Sequence, residues 1–74
     1  MMVVILDASK MTDKETSHAY LKEAFDLPEY YGNNLDALHD CLDEMEDLEI
    51  IVENEEDAGK YYRYVARVLK DILK

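Results

Sequence analysis

Asp36 and Asp40 stand four residues apart, with Asp43 three further on and His39 between the first two. On a helix that spacing sets the carboxylates on one face, a turn apart. Paired carboxylates can act as general acid and base, hold a metal ion, or meet a basic partner. Catalysis asks for an enclosed cleft and shifted pKa values, and 74 residues leave little room for a cleft. The reading is therefore of a protein that is not an enzyme. No string sets acids at alternate positions around a central glycine, as a calcium loop requires. His39 and Cys41 lack further ligands at metal spacing, and His18 falls on a different helix. Neither metal nor cofactor is expected. What remains is recognition, with aspartates opposed to arginine or lysine through charge-assisted hydrogen bonds.

The stretch that must position these groups is LPEYYGNNLDALHDCL, Leu27 to Leu42. It holds the only proline, Pro28, and one of two glycines, Gly32. Pro28 fixes its own φ and disfavours the α region at Leu27, so a preceding helix ends by about Asp26. Gly32 offers the positive φ that a sharp turn before a helix often needs. Asn33 or Asn34 can cap the next helix, which runs from Asn34 to about Glu46. Leu35, Leu38, Cys41, Leu42 and Met45 make its apolar face; Asp36, Asp40, Asp43 and Asp47 make the other. Cys41 reads as a buried, reduced thiol. Of the adjacent tyrosines, one of such a pair usually faces inward.

Around this stretch the chain reads as strand, helix, helix, strand, helix. Met2 to Leu6, MVVIL, has the continuous apolar character of a strand covered on both faces. Thr12 and Glu15 form a capping box for a helix from about Asp13 to Phe25. Ala19, Tyr20, Ala24 and Phe25, flanked by Leu21, would face the sheet. Leu48 to Glu53, LEIIVE, is a second strand. Asn54, with Asp57 three residues on, caps a last helix whose stripe is Ala58, Tyr61, Tyr62, Val65, Val68, Leu69 and Ile72. The acids Glu55, Glu56 and Asp57 at its start, and Lys70 and Lys74 at its end, suit the helix dipole. Tyr61, Tyr62 and Tyr64 are assigned to core and flank packing. The crossovers are long enough for parallel pairing, which gives a small α/β domain.

Charge narrows the partner. The formal net charge is −10. Between Glu23 and Asp57 lie fourteen acidic residues and no lysine or arginine; from Ala58 onward there are five basic residues and one acid, Asp71. Such a chain is repelled by nucleic acid and by anionic membrane and attracted to a basic protein. No apolar run approaches the length of a membrane span, and MMVVILDASK lacks the form of a signal peptide. With one cysteine and hence no internal disulfide, a cytoplasmic location is expected.

PEYYGNNLDALHDCL resembles the signature of the barstar family, small intracellular inhibitors of a guanyl-specific secreted ribonuclease. The resemblance implies a three-stranded parallel sheet with four helices. This chain departs from that pattern: two strands and three helices are visible, the third strand is missing, and the segment between Val52 and Tyr61 is too short for an extra helix. The expectation is a single barstar-like domain over 1–74, shortened in its C-terminal half. A truncated chain, a naturally reduced domain and a sheet completed across a homodimer through its open edge all accommodate this.

The resemblance also implies roles. Asp40 fills the phosphate site of the ribonuclease and Asp36 is its neighbour on the interface. Tyr30 makes contact while Tyr31 belongs to the core. Gly32 and Asn34 meet the partner from the same loop. Asp71, in the last helix, is placed as a further acidic contact. Leu35 and Asp43 complete the partner-facing set on the helix, together with His39, where the family's best-known member has tryptophan. A histidine facing the partner would make binding pH-dependent. The function expected is that of an immunity protein or antitoxin which occludes the active site of a basic, barnase-type ribonuclease. The alternatives are an acidic interaction module or immunity protein for another basic partner, such as a toxin that is not a ribonuclease, and a dimerising scaffold.

Overall fold

The structure is a computed structural model and describes residues 2–73. Its order is β1 (Met2–Asp7), a 3-10 turn (Ala8–Lys10), α1 (Lys14–Ala24), α2 (Leu35–Asp43), β2 (Leu48–Glu53), a second 3-10 turn (Glu55–Asp57) and α3 (Tyr62–Ile72). The two strands pair in parallel, in a register that runs from Met2↔Leu48 to Asp7↔Glu53. The domain is thus α/β, with three helices and a two-stranded parallel sheet among the described residues.

Val4 and Leu6 point into the core, whereas Val3 and Ile5 remain 47% and 58% exposed. The MVVIL run is therefore covered on one face, not two, because the helices form one layer. Leu6, Leu21, Phe25, Leu38, Leu42, Val65 and Leu69 meet between that layer and the sheet. The Met2 N–H bonds to the Asp47 carbonyl at 3.0 Å, and this phase aims Met2, Val4 and Leu6 at β2. Val3 and Ile5 consequently turn their N–H and C=O groups to the outer edge, where they have no partner among the described residues.

The start of α1 differs from the expected capping box. Asp13, not Thr12, is the cap, and its carboxylate accepts from the Thr16 N–H at 2.7 Å. These bonds from Thr16 hold the Asp13 carboxyl below its usual pKa. The buried face of α1 is Ser17, His18, Leu21 and Phe25; Leu21 is central rather than flanking, and Ala19 is exposed. Asp26 ends the helix at φ 53°. The Leu27 N–H reaches back to the Lys22 carbonyl and the Asp26 N–H to that of Glu23, a Schellman closure with aspartate in the usual glycine position.

Asn54 does not cap α3. It adopts a left-handed conformation (φ 58°) and makes no side-chain cap bond. Its amide instead donates to the Asp7 carboxylate at 3.1 Å, which clasps the ends of the two strands. The Ser9 hydroxyl and then Asn54 hold the Asp7 carboxyl below its usual pKa. The acids Glu55 to Asp57 sit in the 3-10 turn, before α3 begins at Tyr62. Glu55 accepts from the Tyr62 hydroxyl at 2.8 Å. Burial, and then this bond, push the Tyr62 phenol well above its usual range. Within α3 the expected stripe holds from Tyr62 to Ile72, with Tyr62, Val65 and Leu69 buried, whereas Ala58 and Tyr61 lie before the helix. Lys74 lies outside the described residues. Gly59 packs directly on backbone: a Cβ there would lie 2.1 Å from the Thr12 carbonyl oxygen.

Candidate partner-binding face

The turn into α2 is built by Asn33 and Asn34. Asn33, not Gly32, takes the left-handed conformation, at φ 52°. Asparagine tolerates that region because its short side chain can bond locally. Gly32 instead gives close passage: a Cβ would meet the Asn34 side-chain nitrogen at 3.0 Å. Asn34 caps α2, accepting from the Ala37 N–H at 2.7 Å. Such a cap contributes about 1 kcal/mol.

Leu38 and Leu42 are wholly buried and fix the rotation of α2. That rotation leaves Asp36, Asp40 and Asp43 exposed on the outer side. Asp36 also lies in the first turn, where the helix N-terminus favours negative charge. Leu35 is half-buried at the helix start. The helix ends at Asp43, so Asp47 is not on this ridge; it sits at φ 52° just before β2. Cys41 is half-buried rather than buried, and burial, with Glu44 and Asp40 nearby, raises its thiol pKa.

The tyrosine pair divides as expected. Tyr30 is 82% exposed and Tyr31 5%. His39 and Asp71, remote in sequence, meet across α2 and α3, where the histidine Nε2–H donates to the carboxylate at 3.0 Å. Tyr30, Gly32, Asn34, Leu35, Asp36, His39, Asp40, Asp43 and Asp71 thus fall on the loop before α2, on α2 itself and on the adjoining part of α3.

Two features escaped the sequence reading. A groove of about 420 Å³ opens beside the start of α2, lined by Lys14, Asn34, Leu35, Asp36, Tyr61 and Tyr64. The one-turn spacing of Tyr61 and Tyr64, whose rings lie 5.7 Å apart, was the signal for it. The second is His18, only 1% exposed, with a tyrosine hydroxyl at each ring nitrogen. Its spacing to Leu21 and Phe25 places it on the inner face of α1. Burial, and then Lys14, push its pKa below the usual histidine value.

Among the described residues no group of three or more His, Cys, Asp or Glu is arranged to hold a metal ion. No helix there is long and apolar enough to cross a membrane. What the face offers is a fixed pattern of hydrogen-bond acceptors and an exposed aromatic ring.

A Bacillus subtilis (strain 168) protein named "Putative ribonuclease inhibitor YrdF" is 48% identical over 42 residues, which cover 57% of this chain and 46% of that protein. The matched region is therefore less than half the length of that relative. No solved structure matches. A family model described as "Barstar (barnase inhibitor)" matches residues 1–74, and the chain belongs to the barstar family.

Proposed function

We propose that this protein inhibits a barnase-type ribonuclease by lodging α2 and the Tyr30–Asn34 loop in its substrate groove. A ribonuclease groove is lined with cations that hold phosphates, and Asp40 and Asp36 would stand where phosphate charge otherwise sits. Tyr30 would add rigid contact area with a polar tip. The inhibition is steric and electrostatic, and no bond is made or broken. The observation that carries this reading is the exposed Asp36–Asp40–Asp43 ridge on a helix locked by Leu38, Leu42 and the Asn34 cap, in a chain of this family. Action on a ribonuclease of the same cell fits a cytoplasmic inhibitor. The acidic pole would speed association, an effect that weakens with added salt.

The test is titration of a barnase-type ribonuclease while RNA cleavage is followed, with Asp40→Ala alongside. Stoichiometric inhibition by the wild type is expected. Loss of charge-assisted bonds worth about 1.5–3 kcal/mol should weaken the variant at least about tenfold. No inhibition by folded wild-type protein would overturn the reading.

A second reading rests on His39. Its ring is engaged by Asp71 and stands where the family's best-known member has tryptophan. A basic partner other than that ribonuclease would suit this altered centre. Retained binding to such a protein, without ribonuclease inhibition, would establish it.

A further inference from the structure

The loop that carries Tyr30 is long on exposure and short on anchors. From Glu29 to Asn34 only Tyr31 is buried. Its backbone closes a tight turn, with the Tyr31 N–H bonded to the Pro28 carbonyl at 3.0 Å. Its hydroxyl lies 2.5 Å from Nδ1 of His18. On the other side of the same ring, Nε2 lies 2.7 Å from the hydroxyl of Tyr61. Tyr61 stands immediately before α3 and lines the groove beside Asn34, Leu35 and Asp36. One imidazole therefore joins three segments: α1, the loop ahead of α2, and the entry to α3.

We propose that His18 is a positioning residue for the partner-binding face, setting the Tyr30–Asn34 loop through Tyr31 and one wall of the groove through Tyr61. The inference rests on the reading of that face as the inhibitory surface. A neutral imidazole has one donor and one acceptor nitrogen, and each hydroxyl can take either role. The Tyr31–His18–Tyr61 chain is therefore satisfied at both nitrogens and has a direction, which an apolar residue of similar size could not supply. The rings also meet edge-on or tilted, with centroids 5.8 Å (Tyr31) and 5.4 Å (Tyr61) from that of His18, so the histidine is packed as well as bonded. No tertiary hydrogen bond other than this one ties the Tyr31 side chain to the rest of the fold among the described residues.

The two nitrogens can be separated by substitution. An asparagine amide reaches the place of Nδ1, and a glutamine amide that of Nε2. His18→Asn should keep the bond to Tyr31, His18→Gln the bond to Tyr61, and His18→Leu neither. Amide hydrogen exchange of residues 30–34 in the free protein is the first readout, and inhibition of the ribonuclease the second. In His18→Leu and His18→Gln the loop amides should exchange about tenfold faster than any global loss of stability accounts for, and inhibition should weaken about tenfold. His18→Asn should stay within about threefold of wild type in both. Tyr31→Phe, which keeps the ring and the packing, should reproduce the loop loosening without unfolding. Unchanged loop exchange in Tyr31→Phe, or equal acceleration at every amide in all the His18 variants, would overturn the proposal. If the wild type inhibits no ribonuclease, the functional reading falls, and the exchange measurement still decides whether His18 positions the loop.

Discussion

The outer side of α2 and the outer side of the sheet lie over the same core, yet they are finished differently. On the α2 side the exposed groups are acids, and the backbone beneath them is fixed by the Asn34 cap, by Leu38 and Leu42 and by the anchored Tyr31. On the sheet side the exposed apolar groups Val3, Ile5 and Ile51 stand beside the exposed carboxylates of Glu49 and Glu53, and the β1 edge carries unpaired backbone groups. A binding surface needs exposed chemistry on a rigid support, and the α2 face has both. The sheet face exposes acids as well as apolar groups, but beside an open strand edge rather than on a capped helix. Exposure by itself therefore distinguishes nothing here; the support beneath it does.

Removing the shared foundation should affect both faces at once. Gly59→Ala would drive a methyl group into the Thr12 backbone. A loss of about 3 kcal/mol is expected in denaturant unfolding, since overpacking against backbone has little room to relax. A loss under about 0.5 kcal/mol, the range of ordinary surface changes, would mean that this junction moves freely.

Acid should weaken the α2 side before it reaches the carboxylates. Burial lowers the His18 pKa from its usual 6.5, so the unfolded chain binds the proton more readily. That stability is fully present above pH 6.5 and is lost as pH falls from 6.5 through the lower folded value. Asp7 and Asp13, with lowered pKa values, contribute stability above the usual 3.8 that is lost only in stronger acid. Denaturation midpoints measured from pH 7 to 5 should fall for the wild type and flatten in His18→Asn. Parallel curves would remove His18 as the origin.

Asn34→Ala takes away the cap of α2 and the amide's bond to the Gly32 carbonyl at 3.3 Å, and should cost about 1 kcal/mol, read by thermal unfolding. It should also weaken ribonuclease binding more than its stability cost predicts, because it frees the loop as well as the helix.

The smallest effect belongs to the sheet side. Ile5→Lys, on a side chain 58% exposed, should change stability by less than about 0.5 kcal/mol if nothing covers it. A larger loss that grows with protein concentration in sedimentation and unfolding experiments would place a second copy on this face.

The elements themselves were legible in the sequence. The Leu48–Glu53 strand has the boundaries expected of it, and the Asn34 cap followed by Leu38 and Leu42 sets α2 as the residue types dictate. Conformations fixed by distant partners were not legible. Asn54 looks like a cap in sequence, but it turns back to a carboxylate on the other strand. The MVVIL run reads alike whether one or two layers cover it, so only the placement of the helices reveals the bare side. His18 was overlooked because a histidine is polar by type, while its partners lie 13 and 43 residues away. The closeness of His39 to Asp71 likewise depends on how α2 crosses α3. Buried Ser17, whose hydroxyl has no hydrogen-bond partner among the described residues, is unexplained by the packing around it.

The parallel register from Met2↔Leu48 to Asp7↔Glu53 also sets the order in which the molecule can be assembled. No hairpin can seed this sheet, because more than half of the chain separates the partners. Closing so long a loop is entropically costly until helices have formed between its ends. During synthesis β1 emerges before β2 and must wait for it, with Val3, Val4 and Ile5 unpaired throughout. The strand made before its partner is thus the more aggregation-prone of the two, and the helices that fold between them determine how long it stays so.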